Sequence, residues 1–118
     1  MPGMTSAGAN LPLWSGALAV GTNNGNAFQV NTERDNLQVG LLVNVSAVGG
    51  TPSATVEIQW SADGVTWVSA STPDITTAFT AVSGNARLIT TKAAYMRAQI
   101  VLSGTTPTMT MQVFAYVT

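Results

Sequence analysis

The sequence predicts an all-β protein: an antiparallel β-sandwich or jelly roll of seven or eight strands with an extended N-terminal arm. Three observations carry this expectation. Apolar residues alternate with polar ones at a period of two through several stretches, which places successive side chains on opposite faces of a strand. Gly, Pro, Asn and Asp separate these stretches at intervals of about ten residues, the spacing of short strands joined by tight turns. Helical spacing is hard to find, because candidate windows are broken by Gly or by β-branched runs. A chain of 118 residues buries one ordinary core, so residues 17–118 are expected to form one domain and residues 1–16 the arm.

In the arm, small and polar residues lead into Leu11-Pro12-Leu13-Trp14, and Pro12 blocks regular pairing on a central strand. Such a segment builds no core of its own, yet it carries a Trp. Two readings stay open: Trp14 folds back to cap the sandwich, or the arm docks onto another subunit with Leu11, Leu13 and Trp14 as anchors. Asn23-Asn24-Gly25-Asn26 is expected to close a hairpin between residues 17–22 and 27–31. Leu37 to Val48 is apolar on both faces, with Leu42 and Val48 adding to the second one. This marks a central strand, covered on one side by the opposing sheet and on the other by a partner or a long loop. Gly49-Gly50-Thr51-Pro52 is expected to end it.

Val56, Ile58 and Trp60 then form an inward series opposite Thr55, Glu57 and Gln59. Asp63-Gly64 marks the next hairpin. A two-residue type I′ turn, the favoured reading, sets Trp60 across from Trp67, whereas a three-residue turn sets Trp67 opposite Gln59. Residues 71–91, with Pro73 and Gly84, are expected to arch from one sheet to the other, with a short strand near Ala86–Thr90. Met96, Ala98, Ile100 and Leu102 form one inward series, and Met109, Met111, Val113, Ala115 and Val117 another. Ser103 to Thr108 is expected to be the link between them. Tyr95, Phe114 and Tyr116 lie opposite the inward series of their strands and are candidates for an exposed or inter-subunit patch.

Composition narrows the function. The chain has no Cys and no His, which removes thiol and imidazole nucleophiles, disulfides, Cys/His zinc sites and His-based general bases. Four cationic residues cannot follow a phosphate track, so nucleic acid is not an expected partner. Charged residues make up only 8% of the chain, and seventeen Thr stand among the neutral polar residues that replace them. A surface so poorly guarded by charge fits two readings, cover by neighbouring proteins or a secreted β-domain with a Thr-rich face.

The opening Met1-Pro2-Gly3-Met4 has no basic residue ahead of an apolar run, and residues 39–48 are broken by Gly40, Asn44 and Ser46. A protein that neither enters nor crosses a membrane is therefore expected. Glu33, Asp35, Glu57, Asp63 and Asp74 are the carboxylates available for acid–base work. They read as turn, corner and surface groups, so neither catalytic residues nor a cofactor or metal site are expected.

Thr55 to Trp67 contains Ser61-Ala62-Asp63-Gly64-Val65-Thr66-Trp67, a strand–S-x-D-G-x-x-W–strand hairpin that resembles one in phage virion proteins. With Ala94 to Ile100, the Gly-Thr-Thr-Pro-Thr stretch at 104–108 and the last strand, residues 38–118 are similar to small phage capsid decoration, or cement, proteins of jelly-roll type. The resemblance implies a homo-oligomer, dimer or trimer, made in the host cytoplasm and bound to the major capsid protein on the virion's outer surface. Discoidin-like carbohydrate-binding modules use a similar hairpin and a later Y-x-R strand, so glycan binding is the alternative reading. A phage tail or fibre-base protein is a further structural one.

Overall fold

The computed structural model describes residues 10–30 and 38–117. The expected corner at Glu33, Arg34 and Asp35 lies outside the described residues, as do residues 1–9 of the expected arm. Among the described residues every regular element is a strand: β1 (Asn10–Ala17), β2 (Gly21–Asn24), β3 (Phe28–Gln29), β4 (Gln38–Ser61), β5 (Val68–Ser69), β6 (Ser83–Thr90) and β7 (Tyr95–Val117). All pairings are antiparallel, and the seven strands form one sheet.

The organising unit is the pair β4–β7, matched from Val39↔Val117 to Ser61↔Tyr95. Residues 10–29 run along the free side of β7 as an interrupted lane: β1 on its C-terminal half, then β2 and β3 on its N-terminal half. Residues 68–90 do the same along β4, with β5 at Gln59 and Trp60, an isolated bridge from Phe79 to Ala54, and β6 at residues 38–45. One half of the sheet is therefore ordered β1-β7-β4-β6 and the other β2/β3-β7-β4-β5.

Two stretches expected to end strands bend them instead. The β4–β7 register shifts between Val45 and Ala47 and again between Gly49 and Thr51. At the second shift Gly50 (φ 64°) lies in β4, with Gly104 (φ 125°) and Thr106 (φ 42°) close by in β7. Bulge residues curve a paired ribbon without cutting its ladder. Four expected strands are thus two long ones, of 24 and 23 residues.

The expected hairpin at Asn23–Asn26 is also corrected, because β2 and β3 both pair with β7 and not with each other. The cause is the buried Asn23 side chain. Its Nδ2 donates to the carbonyls of Ala19 (2.8 Å), Gly21 (3.1 Å) and Ile100 (3.2 Å), while its Oδ1 accepts from the Ala19 amide (2.9 Å). This network holds the chain against β7 where a reversal was expected.

The inward series agree with the alternation. Val39, Leu41, Val43 and Val45 share one buried cluster with Val56, Ile58, Trp60, Met96, Ile100, Leu102, Met111 and Val113. Both halves contribute to it. The halves also meet at the β1 edge, where the bulged Leu13 offers its carbonyl to the Asn26 amide (2.8 Å). The expected arm is corrected over its described part. Residues 10–16 belong to β1, with Leu11 and Leu13 buried in the chain's own core. Pro12 fits there because β1 pairs on one side only, so its missing N–H faces the open edge.

Candidate functional site

The two outward faces of the sheet differ in chemistry. On the β2/β3-β7-β4-β5 half, the strand register sets Glu57 opposite Gln99, Gln59 opposite Arg97 and Ser61 opposite Tyr95. Arg97 Nε donates to Gln59 Oε1 (2.8 Å), and its guanidinium lies 4.7 Å from the centre of the Trp67 ring, a cation–π contact.

Trp67 does not face Trp60. Trp60 pairs with Val68 and Gln59 with Ser69, so both turn readings are corrected. The loop is longer because Asp63 organises it. Its Oδ1 accepts the amides of Val65 and Thr66 (both 2.9 Å) and the Ser61 hydroxyl (3.0 Å), and Ser61 Oγ in turn accepts the Gly64 amide (2.8 Å).

The Thr66 amide, followed by the Val65 amide and the Ser61 hydroxyl, holds the Asp63 carboxyl below its ordinary value. A carboxylate with a depressed folded pKa supports its loop fully above the unfolded pKa, and that support is lost as pH falls through the folded value. The protection factors of the Val65 and Thr66 amides against hydrogen exchange are therefore expected to fall on the acid side of the aspartate range. In Asp63→Ala these protection factors should be low at every pH, with no acid step.

The β1-β7-β4-β6 half presents a different surface. Across the four strands, the outward rows read Pro12–Phe114–Leu42–Ala86 and Asn10–Tyr116–Gly40–Leu88. Leu42, Tyr116 and Leu88 are 47%, 48% and 57% exposed, and Phe114 is half-buried. The next row carries Gln112, Asn44 and Gly84, with Asn44 Nδ2 donating to Gln112 Oε1 (2.9 Å). No charged side chain stands in these rows. The second face of the central strand was expected to lie under a partner or a long loop, and among the described residues no loop covers it.

The residues singled out from sequence are divided by the fold. Phe114 and Tyr116 stand together on this uncharged face. Tyr95 shares their strand but lies on the other half, its ring beside Gly64. Leu11 and Leu13 are corrected from partner anchors to core residues. Trp14 is half-buried against the same core, and its Nε1 donates to the Gly16 carbonyl (3.1 Å). Leu88 and the outward role of Pro12 went unnoticed in the sequence. Leu88 sits in a segment whose alternation is interrupted by Arg87, which donates to the Asp74 carbonyl.

Two open grooves, of about 340 and 310 Å³, lie elsewhere. The first is lined by Ile75, Phe79 and Arg87 among others, the second by Trp60, Asp63 and Val68. Neither brings two carboxylates together. Asp74 is engaged with Lys92 (3.2 Å). Among the described residues no three acidic side chains gather in a way that could hold a metal ion. Comparisons with known proteins give no matching family model and no significant match among curated proteins or solved structures.

Proposed function

We propose that this chain is a structural component of an assembled particle, a decoration protein that binds the outside of a phage capsid and stabilises the shell. The observation that carries the reading is the uncharged, partly apolar face of the β1-β7-β4-β6 half, which marks a subunit that works inside an assembly, whether a second copy or the shell covers that face. A contiguous exposed patch with Leu42, Leu88, Phe114 and Tyr116 costs solubility unless another protein covers it. The chain's low charge, 8% of its residues, fits a molecule that spends its life among neighbours. The resemblance of the Ser61–Trp67 hairpin names the kind of particle. A glycan-binding reading would rest on Trp67 and Tyr95, and one face of the Trp67 ring is already occupied by Arg97.

The test is co-sedimentation of the purified chain with capsids of the phage that encodes it. Attachment is expected to change less than about twofold between roughly 0.05 and 0.5 M NaCl, since screening acts on charge pairs and not on apolar burial. Failure to sediment with the shells at either salt concentration overturns the reading.

A further inference from the structure

We propose that the uncharged face of the β1-β7-β4-β6 half is the interface for a second copy of this chain. The two copies pack sheet to sheet about a two-fold axis that crosses the strands at the Leu42–Phe114 row. The proposal deepens the reading above and rests on it for its biological purpose, but its physical basis is the pattern of the face itself.

The strand register supplies a self-complementary relief. In β6 the outward residues are Gly84, Ala86 and Leu88, and in β4 the residues beside them are Asn44, Leu42 and Gly40. Each strand thus has a glycine two positions to one side of the central row and a larger side chain two positions to the other. A two-fold axis along that row exchanges the sides. Leu88 then meets the opposing copy's residue 84, where a Cβ would have nothing within 4 Å, so the space above Gly84 is open. Asn44 meets the glycine at position 40, where a Cβ would lie 3.6 Å from Tyr116 Cβ, and Leu42 and Phe114 meet their own equivalents on the axis.

Polar groups match under the same operation. Tyr116 is brought over the opposing copy's Gln112, which gives its hydroxyl a hydrogen-bond partner as an interface tyrosine requires. Asn44 and Gln112 already bond to each other, so much of their polar capacity is met before the face is buried.

Charge and size favour the same occupant. With no charged side chain in these rows, a copy meets its twin with neither repulsion nor a stranded charge, whereas an acidic or basic partner would lose solvation without return. Four strands about 4.8 Å apart, crossed over the eight residues of β1 and of β6 at roughly 3.3 Å each, give a footprint of roughly 500 Å² per copy. Two such faces bury about 1,000 Å² together, the lower bound of a specific interface. Sheets stacked in this way pack as the layers of a sandwich do.

The experiment is sedimentation velocity and light scattering on the isolated full chain from about 1 to 100 µM, with thermal melting to confirm that each variant is folded. The wild-type chain is expected to dimerise. Gly84→Leu fills the hollow and should weaken dimerisation about a hundredfold. Because the axis pairs position 84 with position 88, the exchange Gly84→Leu with Leu88→Gly should restore it to within about tenfold.

A chain that stays monomeric at about 100 µM, a dimer equally tight in Gly84→Leu, or an exchange variant that regains nothing each overturns the proposal. A monomer that still binds shells would assign this face to another protein. That result overturns the dimer while leaving the proposed function standing.

Discussion

Gly104→Ala lowers the thermal midpoint by about 10–15 °C, the shift expected for a loss of roughly 3 kcal/mol in a domain of this size. The loss has two sources at one atom. Gly104 has φ 125°, a backbone conformation that a residue with a Cβ reaches only under strain, of order 1–3 kcal/mol. An added Cβ would also run into the Thr51 carbonyl oxygen and stand 3.0 Å from the Thr51 carbonyl carbon and 3.4 Å from Pro52 Cα. Those atoms belong to the partner strand's backbone, so relief requires moving β4 where it bends.

Gly50→Ala is expected to act in the same direction from the other side of the bend. Its φ is 64°, and a Cβ there would meet the Thr106 carbonyl oxygen and lie 2.8 Å from that of Thr105. The two halves of the β4–β7 pair share one core, so a shift at the bend is felt on both sides of it. Differential scanning calorimetry on the two variants measures the effect. Midpoints within about 2 °C of wild type would show that the bend does not depend on these glycines.

The same residues show how much of the fold was legible beforehand. Alternation is a local property, and it identified the inward series because a strand with one buried face must repeat every second residue. Met96, Ala98, Ile100 and Leu102 are all buried, as are Met109, Met111, Val113 and Ala115. In the sequence the bends look like strand ends because a turn and a bulge use the same residues. Whether Gly50 reverses the chain or curves it depends on Thr105 and Thr106, which approach from more than fifty positions away.

The Asp63 loop failed for a related reason. An Asp-Gly pair suits a two-residue turn, but the Ser61 hydroxyl and the amides of Val65 and Thr66 give the carboxylate a wider set of bonds to organise. The uncharged face was half legible. Leu42, Phe114 and Tyr116 could be placed on outward positions from their own strands, but their meeting with Leu88 and Pro12 depends on strand order. Tyr95 shows the limit of strand-by-strand reading: it points to the same side of β7 as Tyr116, and the bend puts it on the other half.

Deleting residues 1–17 is expected to abolish the cooperative thermal transition. The N-terminal segment would be dispensable if it were an arm docked on a neighbour, but its described part is a strand of this sheet. Removal takes away Leu11 and Leu13, 7% and 0% exposed, and uncovers Met111, Val113 and Ala115 along β7. Two buried leucines alone represent about 4–10 kcal/mol once the cavity they leave is included, against a total stability of roughly 5–15 kcal/mol for a domain.

The deletion also leaves the Asn26 amide without the Leu13 carbonyl it bonds and opens the β7 edge, a template for aggregation. Leu13→Ala separates packing from edge effects, because β1 stays in place while the cluster loses one side chain. A loss of about 2–5 kcal/mol is expected in urea titration, with an unchanged dependence on denaturant concentration. If residues 18–118 instead melt cooperatively at the midpoint of the full chain, β1 contributes nothing to this fold. The buried leucines would then have to find their cover on another molecule.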